Sequence, residues 1–112
     1  MNQEKRTAIS QINTTLERLI IRFGFTPTRD GLYVNVEQGR NDYGCVQINE
    51  RLIYDDRKGT HLITAKASVC QMNPNASTDE LRWAADQIHR AAGLADAIDA
   101  LELHYMEEAP TL

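Results

Sequence analysis

The residues that could do chemistry are few and widely spaced. Three histidines occur, His61, His89 and His104, and no two stand at the i, i+4 spacing that sets a pair of imidazoles on one helix face around a metal. Cys45 and Cys70 are the only cysteines and lack C-x-x-C spacing, which makes a weak case for a metal. The adjacent carboxylates Asp55-Asp56 and Glu107-Glu108 fall where loops are expected and read as solvated. No Gly-rich phosphate loop, G-x-S-x-G or H-E-x-x-H occurs. The chain is therefore expected to be non-enzymatic, with no metal and no cofactor.

Charge offers a second route to function. The net charge of −4 is unevenly divided. From Ser77 onward eight acids (Asp79, Glu80, Asp86, Asp96, Asp99, Glu102, Glu107, Glu108) face two bases, Arg82 and Arg90, whereas residues 1–76 carry ten bases against eight acids. An acidic helix face of this kind is ordinarily a solvated one. Its functional reading is a docking surface for a basic partner, where charge raises the on-rate and sharpens discrimination. The bases of residues 1–76, among them Arg6, Arg18, Arg22, Arg29, Arg40, Arg51, Arg57, Lys58 and Lys66, are scattered, whereas a nucleic-acid footprint is clustered.

A third route is an apolar ridge. Leu81, Ala84, Ala85, Ile88, Ala91, Ala92 and Ala95 fall at helical spacing and form a core-facing stripe. Leu94, Ile98, Leu101 and Tyr105 continue on a stripe turned by about 100°, and Trp83 shares that second face. Packing of the second stripe inside the protein is one reading. The other is a partner-binding surface built from Trp83, Leu94, Leu101 and Tyr105, rimmed by Asp86, Arg90 and Glu102. Trp, Tyr and Arg are the residue types that most often anchor interfaces, and contiguous exposed apolar surface marks binding sites.

The elements that must position these residues can be read in turn. Ile9, Ile12, Leu16, Leu19, Ile20 and Phe23 predict a helix over residues 3–23, ended by Gly24 and Pro27, with Asn13 on its polar side. Asp30-Gly31 predicts a turn, and alternation over Leu32–Glu37 a strand. A second strand is expected over residues 45–54, with a bulge near Glu50 where alternation fails, and a third over residues 61–71. Hairpin loops at residues 38–44 and 55–59 separate them. Asn73-Pro74-Asn75 reads as a turn. Ser77-Thr78-Asp79-Glu80 is a capping box that opens a long helical segment reaching Met106. Gly93 leaves two readings: the helix bends or breaks there, or it continues with two apolar faces. Glu107–Leu112 is expected to be a flexible tail.

The expected architecture is a single α+β domain over residues 1–112 in the order α-β-β-β-α. It is a two-layer sandwich in which a three-stranded antiparallel meander carries both helices on one face. Tyr33, Asn35, Gln47, Thr64 and Lys66 are expected near solvent on the other face, a further candidate surface. This element order resembles that of a double-stranded-RNA-binding domain. Such a domain needs a basic N-terminus on its second helix, where this chain has Asp79 and Glu80, so the resemblance carries no residue over.

No apolar run approaches a membrane span and no apolar region follows Met1–Arg6, so the expectation is a cytoplasmic protein. In that compartment Cys45 and Cys70 are expected as reduced, small buried hydrophobes; a disulfide requires two strands that bring them together. The function expected is a small protein-binding module, of the genre of phage or other mobile-element accessory proteins, that docks on a host protein and inhibits or regulates it. The alternatives are a nucleic-acid-associated regulator and a self-assembling structural subunit, such as a homodimer.

Overall fold

A computed structural model describes residues 2–39, 43–55, 58–70 and 75–106. Helix α1 spans Gln3–Arg22, β1 Pro27–Asp30, β2 Tyr33–Val36, β3 Gly44–Asp55, β4 Lys58–Val69, α2 Thr78–Leu101 and β5 His104–Met106. The fold is α+β, with a two-stranded antiparallel sheet β1-β2 and a three-stranded antiparallel sheet β3-β4-β5. The expected meander is thus corrected in two places. The first predicted strand pairs with an unpredicted strand before it, and the last strand of the larger sheet comes from the chain's C-terminal end. The turn at residues 73–74, Asp56 and Arg57 of the loop expected at 55–59, and the tail at 107–112 lie outside the described residues.

Helix α1 follows the sequence closely. The Asn2 side chain caps it by accepting from the Lys5 N–H at 2.7 Å. At its end Gly24 is left-handed at φ +83°, and Gly24 and Phe25 donate back to Ile21 and Ile20. That is the Schellman arrangement, which satisfies carbonyls the helix leaves open. Helix α2 begins as the capping box predicts, with Ser77 Oγ accepting from the Glu80 N–H at 3.1 Å.

Its continuation does not break at Gly93. The absent Cβ leaves a notch that the Phe23 ring fills, since a Cβ there would sit 2.9 Å from Phe23 Cε1. The helix stops at Leu101 instead, where Glu102 turns left-handed at φ 49° and its N–H bonds to the Asp99 carbonyl. No glycine or proline announces this stop. The stop is fixed from outside the helix, where the Ile63 N–H donates to the Leu103 carbonyl at 2.8 Å and draws the following residues onto the edge of β4.

Strand β1 has no apolar alternation to read; it exists because Gly31, at φ +82°, closes a two-residue hairpin onto β2. The β3–β4 register is unbroken from Gly44↔Val69 to Asp55↔Lys58, so there is no bulge at Glu50. Even-numbered residues of β3 and odd-numbered residues of β4 therefore share one face.

Val46, Ile48 and Ile63 on that face enter one core with Ile9, Ile12, Leu16 and Ile20 of α1, Val34 of β2, Ala91, Leu94 and Ile98 of α2, and Tyr105. The buried face of α2 (Ala84, Gln87, Ala91, Leu94, Ala95, Ile98) runs between the two predicted stripes. Helix and sheet approach closely at Gly44, where a Cβ would lie 2.5 Å from the Gln87 carbonyl oxygen.

Two asparagines do the work of strand backbone. Asn13, placed by the sequence on the polar side of α1, is buried. Its amide donates to the Leu32 carbonyl and accepts from the Val34 N–H, both at 2.9 Å. Asn35, expected on an open face, joins the two sheets. Its Oδ1 accepts from Ile48 N–H at 3.0 Å and from Val36 N–H at 2.9 Å, and its Nδ2 donates to the Ile48 carbonyl at 3.2 Å.

Cys45 and Cys70 form a disulfide, with Cα atoms 6.6 Å apart, which corrects the expectation of free thiols. The register supplies the strands that the sequence argument required. Cys45 faces Ser68, and Cys70 follows two residues later on the same side, its N–H donating to the Tyr43 carbonyl. No helix among the described residues is long and apolar enough to cross a membrane.

Candidate functional site

Five elements converge on a polar aromatic cluster. Glu50 of β3 and His61 of β4 lie diagonally on the helix-covered face, because Glu50 pairs with Ile63 and His61 with Leu52. The Glu50 carboxylate accepts a hydrogen bond from His61 Nδ1 and is also hydrogen-bonded by Tyr33. Tyr105, held opposite His61 by β5, stacks its ring on the imidazole at 4.7 Å and 3°. The Tyr33 and Tyr105 hydroxyls are hydrogen-bonded to each other at 2.6 Å, with Tyr105 as donor when Tyr33 gives its proton to Glu50, and Lys5 Nζ of α1 stands 5.5 Å from the centre of the Tyr105 ring.

An acid that orients an imidazole is half of a catalytic arrangement, but the other half is inaccessible. His61 Nε2 is buried, so a substrate cannot reach the nitrogen that would act as base. The cluster reads instead as a clamp holding α1, β2 and β5 to the β3–β4 hairpin. Burial pushes the Tyr33 phenol well above its usual range, and the Glu50 carboxylate beside it adds to this, so the hydroxyl stays neutral and donates. For Glu50, burial works to raise the pKa, but the hydrogen bonds from Tyr33 and His61 outweigh it and hold the carboxyl below the usual carboxylate range.

A carboxyl depressed in the folded state stabilises the fold above its unfolded pKa, about 4.3, and loses that contribution as pH falls through the folded value. Urea unfolding measured from pH 7 to pH 3 should show this loss in the native chain. In Glu50→Gln the acid limb should be shallower, with stability lower at neutral pH. Equal acid limbs in the two proteins would contradict the assignment.

The residues of the predicted ridge do not form one surface. Leu94 and Tyr105 are core, at 0% and 5% exposure, which corrects their assignment to a partner contact. Trp83 and Leu101 are exposed, at 41% and 47%, but stand about five helical turns apart, roughly 27 Å along the axis. Trp83 packs edge-on against Tyr43, and Leu101 borders a cleft of about 240 Å³ with Thr15, Arg18, Leu19 and Arg22. Asp86 and Arg90 pair with each other at 2.9 Å. The Arg90 guanidinium also lies over Phe25 and donates to the Phe23 carbonyl at the C-terminus of α1, where a cation is favoured. These two residues join the helices to each other. Glu102 is the left-handed residue that ends α2.

The remaining candidate is the face of the β3-β4-β5 sheet turned away from the core. Register puts Gln47, Asn49, Arg51 and Ile53 of β3 on it, with Lys58, Thr60, Leu62, Thr64, Lys66 and Ser68 of β4. Of these, Gln47, Asn49, Arg51, Ile53, Lys58, Lys66 and Ser68 are exposed. Arg51, Lys58 and Lys66 set three cations on it, and the register places position 55, an aspartate, on the same face opposite Lys58. Helix α2 carries the opposite sign, with Asp79, Glu80, Asp86, Asp96, Asp99 and Glu102 all exposed. The sequence placed Gln47, Thr64 and Lys66 on this face, and the register pairs Gln47 with Lys66 across it. His89 is exposed, and His104 Nδ1 meets the Glu102 carbonyl, so neither joins His61. Among the described residues no group of three or more His, Cys, Asp or Glu could hold a metal ion. Comparison with known proteins finds no match to a family model, a curated protein or a solved structure.

Proposed function

We propose that this chain is a small, non-enzymatic protein-binding module that docks on an acidic surface of its partner through the open face of the β3-β4-β5 sheet. The observation that carries this reading is the separation of charge. Arg51, Lys58 and Lys66 lie on the uncovered sheet face, while the exposed acids of α2 lie on the helix. Complementary potentials of this kind steer encounter and reject like-charged competitors. The architecture is read as two layers with both helices on one face, because one core holds residues of α1, α2 and a single face of the hairpin. The closed-off His61 Nε2 supports a structural rather than catalytic cluster. Inhibition or regulation of the partner by occupancy is the proposed consequence.

Nucleic acid is the second reading and has less support. The described residues of the open face include no Phe, Tyr or Trp ring on which bases could stack, and a single imidazole, the exposed His104 opposite Leu62. Two measurements decide between the readings. The native chain should capture a discrete acidic protein from an extract of the source cells. The folded double variant Gln47→Glu/Lys66→Glu, altered at one directly opposed pair of the open face, should lose it at least tenfold. Equal capture by both proteins would overturn the docking face. Retention on immobilised DNA or RNA that falls steeply between low and moderate salt would replace the protein reading with the nucleic-acid one.

A further inference from the structure

Antiparallel geometry fixes which backbone groups of the hairpin point outward. Ile63 donates to Leu103 of the neighbouring strand, and residues directly opposite each other point both inward or both outward. Odd-numbered residues of β4 and even-numbered residues of β3 therefore turn their N–H and C=O groups away from the hairpin. Two of these outward positions are closed by side chains. The Asn35 amide takes both backbone groups of Ile48, and Asp99 Oδ1 accepts from the Ala65 N–H at 2.9 Å. Such devices are how proteins protect sheet edges from adding a foreign strand.

Further along β3 the protection stops. β3 is the outer strand of its sheet, and Asn35 and Tyr33 of β2 contact it at Ile48 and Glu50. Beyond Glu50 the outward backbone groups belong to Leu52 and Tyr54, and among the described residues no strand pairs with them. The side chains there are apolar and exposed, Ile53 at 37% and Tyr54 at 69%. An edge of alternating N–H and C=O groups is complementary to another extended strand, and an apolar pair of faces around it favours a lasting contact.

We propose that this edge pairs with the same edge of a second copy of the chain, antiparallel and two-fold about Ile53. In that register Leu52 exchanges backbone hydrogen bonds with Tyr54 of the second copy, and their side chains meet on one face. Ile53 meets its own counterpart on the other face, giving a self-complementary contact of the kind a two-fold axis requires. The interface is short, which places the dimer in the weak class of associations. It uses the edge of β3 beyond Glu50 and leaves Gln47 and Lys66, the pair that tests the docking face, outside the contact.

Sedimentation across a concentration series, with cysteine cross-linking, tests the pairing. The native chain should move from monomer to dimer as concentration rises. Tyr54→Pro removes an outward N–H that the β3–β4 ladder does not use, and should weaken the dimer at least tenfold while leaving the monomer's circular dichroism unchanged. In the proposed register residue 53 forms a non-hydrogen-bonded pair with its own counterpart, close enough for a disulfide. Ile53→Cys should therefore cross-link into a covalent dimer on oxidation, whereas Arg51→Cys, offset from its counterpart by four residues, should not. A native chain that stays monomeric throughout overturns the proposal. So does a dimer unaffected by a folded Tyr54→Pro, or cross-linking through residue 51 as readily as through residue 53.

Discussion

Replacing Gly44 with alanine is expected to destabilise the protein by about 3 kcal/mol, near the upper end of what one added methyl group costs in a packed interior. The new Cβ would lie 2.5 Å from the Gln87 carbonyl oxygen, 2.8 Å from its carbonyl carbon and 3.0 Å from the Ile88 nitrogen. All three are backbone atoms of α2, so no side chain can swing aside. Either the helix must lift from the hairpin or the start of β3 must move.

Both responses break other contacts. Gln87 Oε1 accepts from the Tyr43 and Gly44 N–H groups, and this arrangement needs the helix at its present height. Cys45, the next residue, is tied by its disulfide to the end of β4. Gly93→Ala is the control. There the added Cβ meets Phe23 Cε1 at 2.9 Å, but that ring is only half-buried and ends a flexible side chain. The gain in helix propensity, about 1 kcal/mol, opposes the crowding. Urea midpoints should place Gly44→Ala far below native and Gly93→Ala within about 1 kcal/mol of it. A Gly44→Ala protein as stable as Gly93→Ala would show that the helix–hairpin approach is looser than the structure has it.

Asn13→Leu is the second large effect, expected to cost about 3 kcal/mol despite exchanging a polar residue for an apolar one of similar size. Asn13 is 2% exposed, which by itself would favour leucine. What decides the sign is the partners. Without the amide, the Val34 N–H loses its acceptor and the Leu32 carbonyl its donor. The Val34 N–H, in a residue at 0% exposure, is stranded from water at the upper end of the about 1–3 kcal/mol such a group costs, and the more open Leu32 carbonyl adds less. Those penalties exceed the transfer gain of a leucine that must still fit the space of a planar amide. Amide exchange gives a local readout: the Val34 N–H should exchange faster in Asn13→Leu relative to core amides of α1. Unchanged protection at Val34, with stability within about 0.5 kcal/mol of native, would show that the hydrogen bond contributes little.

These two substitutions mark the boundary of what could be read without coordinates. The α1 stripe from Ile9 to Phe23 was legible because large apolar residues at steps of three and four need only one covered face. The Gly24-Phe25 stop and the Ser77 cap were legible because both are local, each made of groups within a few residues of one another. The β3–β4 hairpin was also legible in outline, from alternation on both sides of a polar turn. The ends of β3 and β4 were not, because beyond the covered part of the sheet nothing enforces alternation, and Leu52-Ile53-Tyr54 imitated a bulge.

The same distinction governs the site. Tyr105 shares the helical face of Trp83, Leu94 and Leu101 only if the helix runs past Leu101, and it does not. The β4 edge draws Leu103–Met106 into a strand and delivers Tyr105 to His61. Glu50, His61, Tyr33 and Tyr105 are distant in sequence, and no periodicity links them; they meet because strand register and a strand after the last helix bring them to one place. Asn13 and Asn35 read as ordinary surface polars because an amide's role depends on which backbone it faces. The sequence by itself determined the fold class, the two helices and their caps, the long hairpin and the concentration of acid on α2, since each follows from neighbours along the chain. Tertiary structure alone decided the disulfide, the end of α2, the fifth strand, the buried cluster and the sign of the open sheet face, since each depends on a pairing between residues whose separation in sequence carries no information about their contact.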